Sequence, residues 1–184
     1  MFSISEFVAQ LDEENISRKS HYTVLITGPQ QLQGLSQERD MTFRCDHVTE
    51  PGRNILTTSN SYHYGLPLSR AYGSSFSDIT ISFIMSEDNR EKLYFERWMD
   101  LMIGPYRNGQ ISKDMFDIKY FDDYVGTAIL YKYNDNGILT YSQKFINVFP
   151  LLVADGDLSW DSPEVNRLSV RLYYQYYQDE PTSG

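Results

Sequence analysis

The sequence predicts a mainly β fold, two packed antiparallel sheets (a β-sandwich or barrel-like arrangement) with one flanking α-helix. Three observations lead there. Four segments alternate apolar and polar residues with the period of two that marks a half-buried strand. A fifth region reads as a long hairpin around an Asn-Gly turn. A single stretch carries its apolar residues at helical spacing, and a lone helix among antiparallel strands is best used to plug or flank them.

The strands come in a clear order. His21 to Thr27 places Tyr22, Val24 and Ile26 on one face. Met41 to Val48 groups Met41, Phe43 and Cys45 against Thr42, Arg44 and Asp46. Ser77 to Met85 sets Ile79, Ile81, Phe83 and Met85 against Asp78, Thr80 and Ser82. Near the end, Leu168, Val170, Leu172, Tyr174 and Tyr176 alternate with Ser169, Arg171, Tyr173 and Gln175. The hairpin spans Val125 to Phe149, its arms flanking Asn134-Asp135-Asn136-Gly137. Asn-Gly supplies the positive φ angles of a tight turn, and the mixed faces of both arms suit a hairpin covered by protein on each side.

The helix is expected from about Asp88 to Ile103. Asp88 would cap the first turn, with Glu91 three residues on as in a capping box. Tyr94, Trp98, Leu101 and Met102 form the buried stripe, and Gly104-Pro105 is the stop. Between Thr49 and Gly73 the chain has no clear period, a long stretch for a connection within one domain. Tyr62, Tyr64, Leu66 and Leu68 need a cover there, which a hairpin or arm reaching a neighbouring molecule would provide. Residues 1–19 read as an N-terminal arm, Asp179 to Gly184 as a frayed tail, and Gln30 to Asp40 as a polar insertion facing outward.

Composition narrows the function. The chain has 184 residues, one cysteine and a formal net charge of −9. One domain is expected, with no intramolecular disulfide. So acidic a chain lacks the cationic footprint that grips nucleic acid. No apolar run approaches the length that spans a bilayer, and the acidic N-terminus lacks the features of a signal peptide. Aromatic residues are 15% of the chain, fifteen of them tyrosine. Tyrosine suits pleated surfaces and interfaces, where its ring packs and its hydroxyl finds water or a partner.

Catalytic and metal-binding patterns are not found. His21, His47 and His63 show no ligand spacing. Cys45 and His47 lie two residues apart on a strand, nearly 7 Å by strand rise, beyond direct hydrogen-bond reach, so Cys45 reads as a structural thiol. Asp155, Asp157 and Asp161 fail as a calcium loop, because Ser159 and Trp160 stand at required positions. Asp122 and Asp123, taken as adjacent strand residues, would point to opposite faces and make no acid–base pair. No enzyme, cofactor or metal is implied. Trp98 reads as core, Trp160 is ambiguous, and Tyr173, Tyr174 and Tyr176 on the last strand read as packing or interface residues.

In order, these segments resemble the tail tube proteins of contractile-tailed bacteriophages. The resemblance is carried by HYTVLIT, by TFRCDHV with Thr49-Glu50-Pro51-Gly52, by the strand–helix unit FSDITISFIMSEDNREKLYFERWMDLMIG, by YSQKFINVFPLLVADGDLSWDS and by RLSVRLYYQYY. It covers roughly residues 20 to 178, and baseplate tube and secretion-system tube proteins share the plan. The resemblance implies a single tail tube domain, joined six to a ring, with a sheet of each subunit contributing to a β-barrel around a channel. Rings would stack into a tube, with Thr49 to Gly73 reaching the adjacent ring. The implied partners are other copies of the chain, a contractile sheath outside, baseplate and tail terminator proteins at the ends, and tape-measure protein and DNA passing through without specific binding. The implied location is the virion tail after synthesis in the host cytoplasm. The rival of another class is a β-sandwich carbohydrate-binding module or hydrolase.

Overall fold

The computed structural model describes residues 19–32, 38–60, 66, 68–104, 106–107, 110–111, 118–154 and 165–181. Its strands are β1 (Tyr22–Thr27), β2 (Cys45–Val48), β3 (Arg53–Asn60), β4 (Leu68–Phe76), β5 (Ile79–Ile84), the short β6 (Tyr106–Arg107) and β7 (Gln110–Ile111), β8 (Gly126–Tyr133), β9 (Leu139–Val153), β10 (Arg167–Tyr173) and β11 (Tyr176–Pro181). The helices are α1 (Glu38–Arg44), α2 (Arg90–Met102) and the one-turn α3 (Phe121–Tyr124).

Seven strands form one antiparallel sheet in the order β1-β8-β9-β10-β5-β2, with β11 pairing β9 off this path. The mainly β fold is as expected, but the two packed sheets are the two halves of one sheet that share β9. The 15-residue β9 is long enough to belong to both halves. Its first part pairs β8 on one side and β11 on the other, and its last part pairs β10. The change of partner is marked by a bulge at Asn147, which has φ 56° between the paired residues Ile146 and Val148. A bulge adds a residue to one strand, bends it and strengthens its twist. Here it turns one sheet into two faces of a single core.

That core is one cluster. β1 gives Val24 and Ile26, β8 Ala128 and Leu130, β9 Phe145 and Val148, β10 Leu168, Val170 and Leu172, and β5 Ile79, Ile81 and Phe83. On β1, β5, β8 and β10 these are the residues that the period of two selects, while on β9 the bulge at Asn147 shifts the phase between Phe145 and Val148. Against them lies α2 with Tyr94, Phe95 and Trp98, each fully buried. The Trp98 indole N–H donates to the Tyr124 carbonyl at 2.7 Å, so burial leaves no donor unpaired. The helical stripe was legible, although Leu101 and Met102 are only partly buried.

The start of α2 differs from the expected cap. Asn89, in the left-handed region, precedes the helix without a side-chain cap, and Asp88 pairs with Arg90 instead. Ser86 takes over. Its Oγ accepts from the Arg90 amide at 3.2 Å, and its amide and hydroxyl both donate to the Glu91 carboxylate, at 2.9 and 2.8 Å.

A second correction concerns Met41 to Val48. Residues up to Arg44 are helical, and only Cys45–Val48 is strand. A short apolar alternation cannot by itself tell a strand from a helix. The helical course buries Met41 to 2% exposure and leaves Phe43 74% exposed. It also places Arg44 within 3.1 Å of the buried Glu91 carboxylate. The Gln30 to Asp40 insertion is likewise not purely an outward decoration, since Leu32 within it and Met41 just after it both join the core.

The β8–β9 hairpin forms as expected. Gly137 takes φ 75°, and the Asn134 Oδ1 accepts from the amides of Asn136 and Ile138 at 3.0 and 2.8 Å. The terminal segment corrects the frayed tail as far as Pro181. β11 pairs Tyr176–Pro181 with β9, and Asp179 accepts from Tyr141 and Gln143 at 2.5 and 2.9 Å.

Candidate assembly surface

The aperiodic stretch between Thr49 and Gly73 folds into a two-stranded hairpin, β3 and β4, whose strands pair only with each other among the described residues. A clamp closes its base. The Ser77 hydroxyl accepts from the Gly52 amide and donates to the Gly52 carbonyl, both at 3.1 Å, and the Ser77 amide donates to that same carbonyl at 3.1 Å. Just before the clamp, Glu50 forms an ion pair with Lys132 of β8. Just inside it, the Arg53 guanidinium lies over the Phe76 ring, which packs on Tyr174 and Tyr177 at 5.9 and 5.3 Å between centroids. The base is therefore closed by polar contacts and fixed to the sheet by ionic and aromatic ones.

Beyond the base the hairpin is exposed. Ile55, Leu56, Leu68 and Tyr72 are 55%, 38%, 50% and 69% exposed. Cross-strand pairing of Thr58 with Arg70 and Asn60 with Leu68, with the alternation of strand side chains, puts Leu56, Leu68 and Arg70 on one face, while Tyr72 stands at the register shift opposite Leu56 and Thr57. Four exposed large apolar side chains on one short hairpin are more than a scatter of single ones and point to an interaction surface. Leu66, beside it in the chain, is also exposed.

The sheet offers further unpaired backbone. Among the described residues β1, β2 and β11 each pair on one side only, and such edges are templates for pairing with another chain. A second aromatic surface lies outside the core near α3. Phe121 packs edge-on against Tyr124 and Phe149, and Phe149 and Tyr173 lie 4.8 Å apart between centroids.

The tyrosine and leucine residues singled out in the sequence divide accordingly. Tyr62 and Tyr64 lie outside the described residues. Leu66 and Leu68 are exposed on or next to the hairpin, and Tyr173 and Tyr176 are partly exposed on β10 and β11. Tyr174 is different, being 3% exposed and packed against Phe145, Phe76 and Tyr177. The alternation that buries Leu168, Val170 and Leu172 carries it inward, so it belongs to the core and not to a surface. What sequence reasoning missed is the exposed set Ile55, Leu56 and Tyr72. A strand with no buried face gives no alternation to find.

The residues weighed as chemical candidates form no reactive group. Cys45 packs beside the core, and burial pushes its thiol up to about 11. Its Sγ faces the His47 carbonyl, 3.6 Å away. Asp122 and Asp123 sit on α3, correcting their placement on a strand, and both are exposed. Asp155, Asp157, Asp161, Trp160 and His63 lie outside the described residues. Among the described residues no group of three or more His, Cys, Asp or Glu side chains is arranged to hold a metal ion, and no helix is long and apolar enough to cross a membrane.

Comparison with known proteins decides the family. The model of the phage tail tube protein family matches residues 17–180. The chain belongs to that family. It is accordingly a structural protein and not a catalyst. Its fold is similar to a chain of the sheath–tube complex, in the extended state, of the PVC extracellular contractile injection system, with TM-score 0.64 and 13% identity, covering 99% of this chain and 100% of that one. It is also similar to a chain of the anti-feeding prophage baseplate, with TM-score 0.64, 11% identity and coverage of 91% and 97%. A third similar chain comes from the PVC sheath/tube terminator structure, with TM-score 0.63, 12% identity and coverage of 91% and 98%. A search of curated proteins finds no significant match.

Proposed function

We propose that this tail tube protein is the repeating subunit of the tube itself. Six copies close into a ring, and rings stack into a hollow tube that conducts DNA during ejection and templates a contractile sheath. The observation that carries this reading is the β3–β4 hairpin, fixed at its base yet exposing Ile55, Leu56, Leu68 and Tyr72. A hairpin of two strands is marginal alone in water, and covering it with another copy supplies the missing burial. Pairing β1, β2 or β11 across subunits would at the same time remove their open edges.

Similar folds occur in sheath–tube, baseplate and terminator complexes, which supports the same classes of partner here: other copies along the tube, a sheath around it, and baseplate and terminator proteins at its ends. Tape-measure protein and DNA would pass through the lumen. Six copies at −9 bring −54 to each ring, and a net charge of that sign disfavours a tight grip on phosphate. The particle would be a phage tail, with an extracellular contractile injection system as the second reading because two of the similar solved folds come from such a system. A baseplate-proximal position within the tube fits the same geometry.

Negative-stain electron microscopy of the purified protein over a range of concentrations tests the reading. It predicts rings or hollow tubes with sixfold symmetry. A monomer at all concentrations, with tryptophan fluorescence that responds to sugars, would instead support a carbohydrate-binding module.

A further inference from the structure

The charge of this protein is unevenly distributed. From Arg53 to Phe76 the sequence holds Arg53 and Arg70 and neither Asp nor Glu. The hairpin is thus +2 in a chain of −9, leaving −11 on the remainder. Arg70 stands on the face that also exposes Leu56 and Leu68, with the exposed Tyr72 close by at the register shift. A complementary surface needs apolar or aromatic area with carboxylates beside it.

The grooves of the molecule differ in this respect. One, beside α1 and the start of α2, is lined by Arg44 and Arg90 as well as Glu87, Asp88 and Glu91. A second, between β1 and β2, mixes Lys19 and Lys132 with Asp46 and Glu50. A third, along the outer face of α2, mixes Lys92, Arg97 and Arg167 with Glu96 and Asp100. The fourth, of about 540 Å³, lies between the end of β1, the start of β8 and α3, and its charged lining is Asp122 and Asp123 alone. Beside these carboxylates stands the aromatic surface of Phe121, Tyr124, Phe149 and Tyr173, with Phe121 and Tyr173 41% and 36% exposed and Tyr120 86% exposed.

We infer that the β3–β4 hairpin of one copy docks on the α3 surface of a second copy, with Arg70 meeting Asp122 and Asp123 and Leu56, Leu68 and Tyr72 covering the aromatic residues. The inference rests on the tube reading and names the contact within it. It makes the interface heterologous, one surface against a different one, which is the arrangement that generates rings or open stacks in place of closed dimers. An arginine also suits both halves of this surface, because its guanidinium pairs with carboxylates and stacks on aromatic faces.

Charge reversal tests it. Arg70→Glu and Asp122→Arg are made singly and together, with circular dichroism checking that each exposed substitution leaves the fold intact. Sedimentation velocity then gives the concentration at which half of the protein is assembled. Like-charge contacts across an interface cost several kcal/mol, so each single variant is expected to need at least about tenfold more protein than the wild type. The double variant should recover most of that loss. If the wild type assembles and the single variants match it, or the double variant stays as weak as the singles, the docking site is wrong and the tube reading stands. If the wild type remains a monomer at every concentration, both are wrong.

Discussion

The Asn147 Nδ2 donates to the Gln175 Oε1 at 2.6 Å, joining the two places where the sheet changes course. Asn147 is the bulged residue of β9, and Gln175 lies in the break between β10 and β11. The Gln175 amide also donates to the Ile146 carbonyl at 3.0 Å. Both strands therefore turn together, and seven strands enclose one core without dividing into two sheets.

This corner predicts a residue-specific response. Asn147 has φ 56°, a left-handed conformation that Asn and Gly tolerate and β-branched residues do not. Asn147→Gly should preserve the fold, while Asn147→Val should lower stability by about 1–3 kcal/mol. Urea denaturation of the two variants checks the contrast.

Gly126 begins β8 where β1 and α2 approach it closely. A Cβ there would lie 2.3 Å from the Thr27 carbonyl oxygen and 2.8 Å from Cη2 of Trp98. Neither can yield easily, one being backbone and the other a buried ring. Gly126→Ala should destabilise by about 1–3 kcal/mol and change the near-ultraviolet circular dichroism of the tryptophans.

Glu91 links α1, the turn before α2 and the core edge. Burial works to raise the pKa of its carboxyl, but the Ser86 amide and hydroxyl together with Arg44 outweigh that and hold it below the usual carboxylate range. A lowered folded value means stability that is present above the unfolded pKa and lost as pH falls through the folded one. Glu91→Gln should cost about 2 kcal/mol near neutral pH. Its deficit relative to the wild type should shrink as pH falls below about 4, measured as melting temperature against pH.

Cys45 should be a poor nucleophile. Its thiol is pushed up to about 11 by burial, and only the thiolate reacts readily. Alkylation by iodoacetamide at neutral pH should be far slower than for a free thiol and should accelerate above pH 10. Rapid labelling at pH 7.5 in the folded protein would contradict this placement.

The elements that the sequence revealed share one property: each has one face on the core and the other away from it. β1, β5 and β10 show the period of two, and α2 the helical stripe, because burial selects every second residue or every third and fourth. The Asn-Gly turn was legible from local backbone chemistry alone. Where that one-sided burial is absent, the sequence was silent or misleading. α1 buries Met41 but exposes Phe43, so its residues imitated a strand. The hairpin β3–β4 buries little within one chain, so only its lack of pattern and its stranded apolar residues hinted at a partner. The continuity of the sheet depends on the length of β9 and on Asn147, whose conformation leaves no mark on the apolar pattern. The alternation already set Tyr174 with Leu168, Val170 and Leu172 and apart from Tyr173, so its place in the core was legible and its grouping with the interface tyrosines was not.

The central claim is that the hairpin is an assembly element of a ring-forming tube subunit. The most direct measurement is the mass distribution of the native protein and of a variant carrying Leu56→Asp and Leu68→Asp, by sedimentation velocity over the same concentration range. The prediction is a wild-type species of six times the 21.5 kDa chain mass, or larger stacks of it, and a folded monomer for the variant. Wild-type protein that stays monomeric, or a double variant that assembles as well as the wild type, would contradict it.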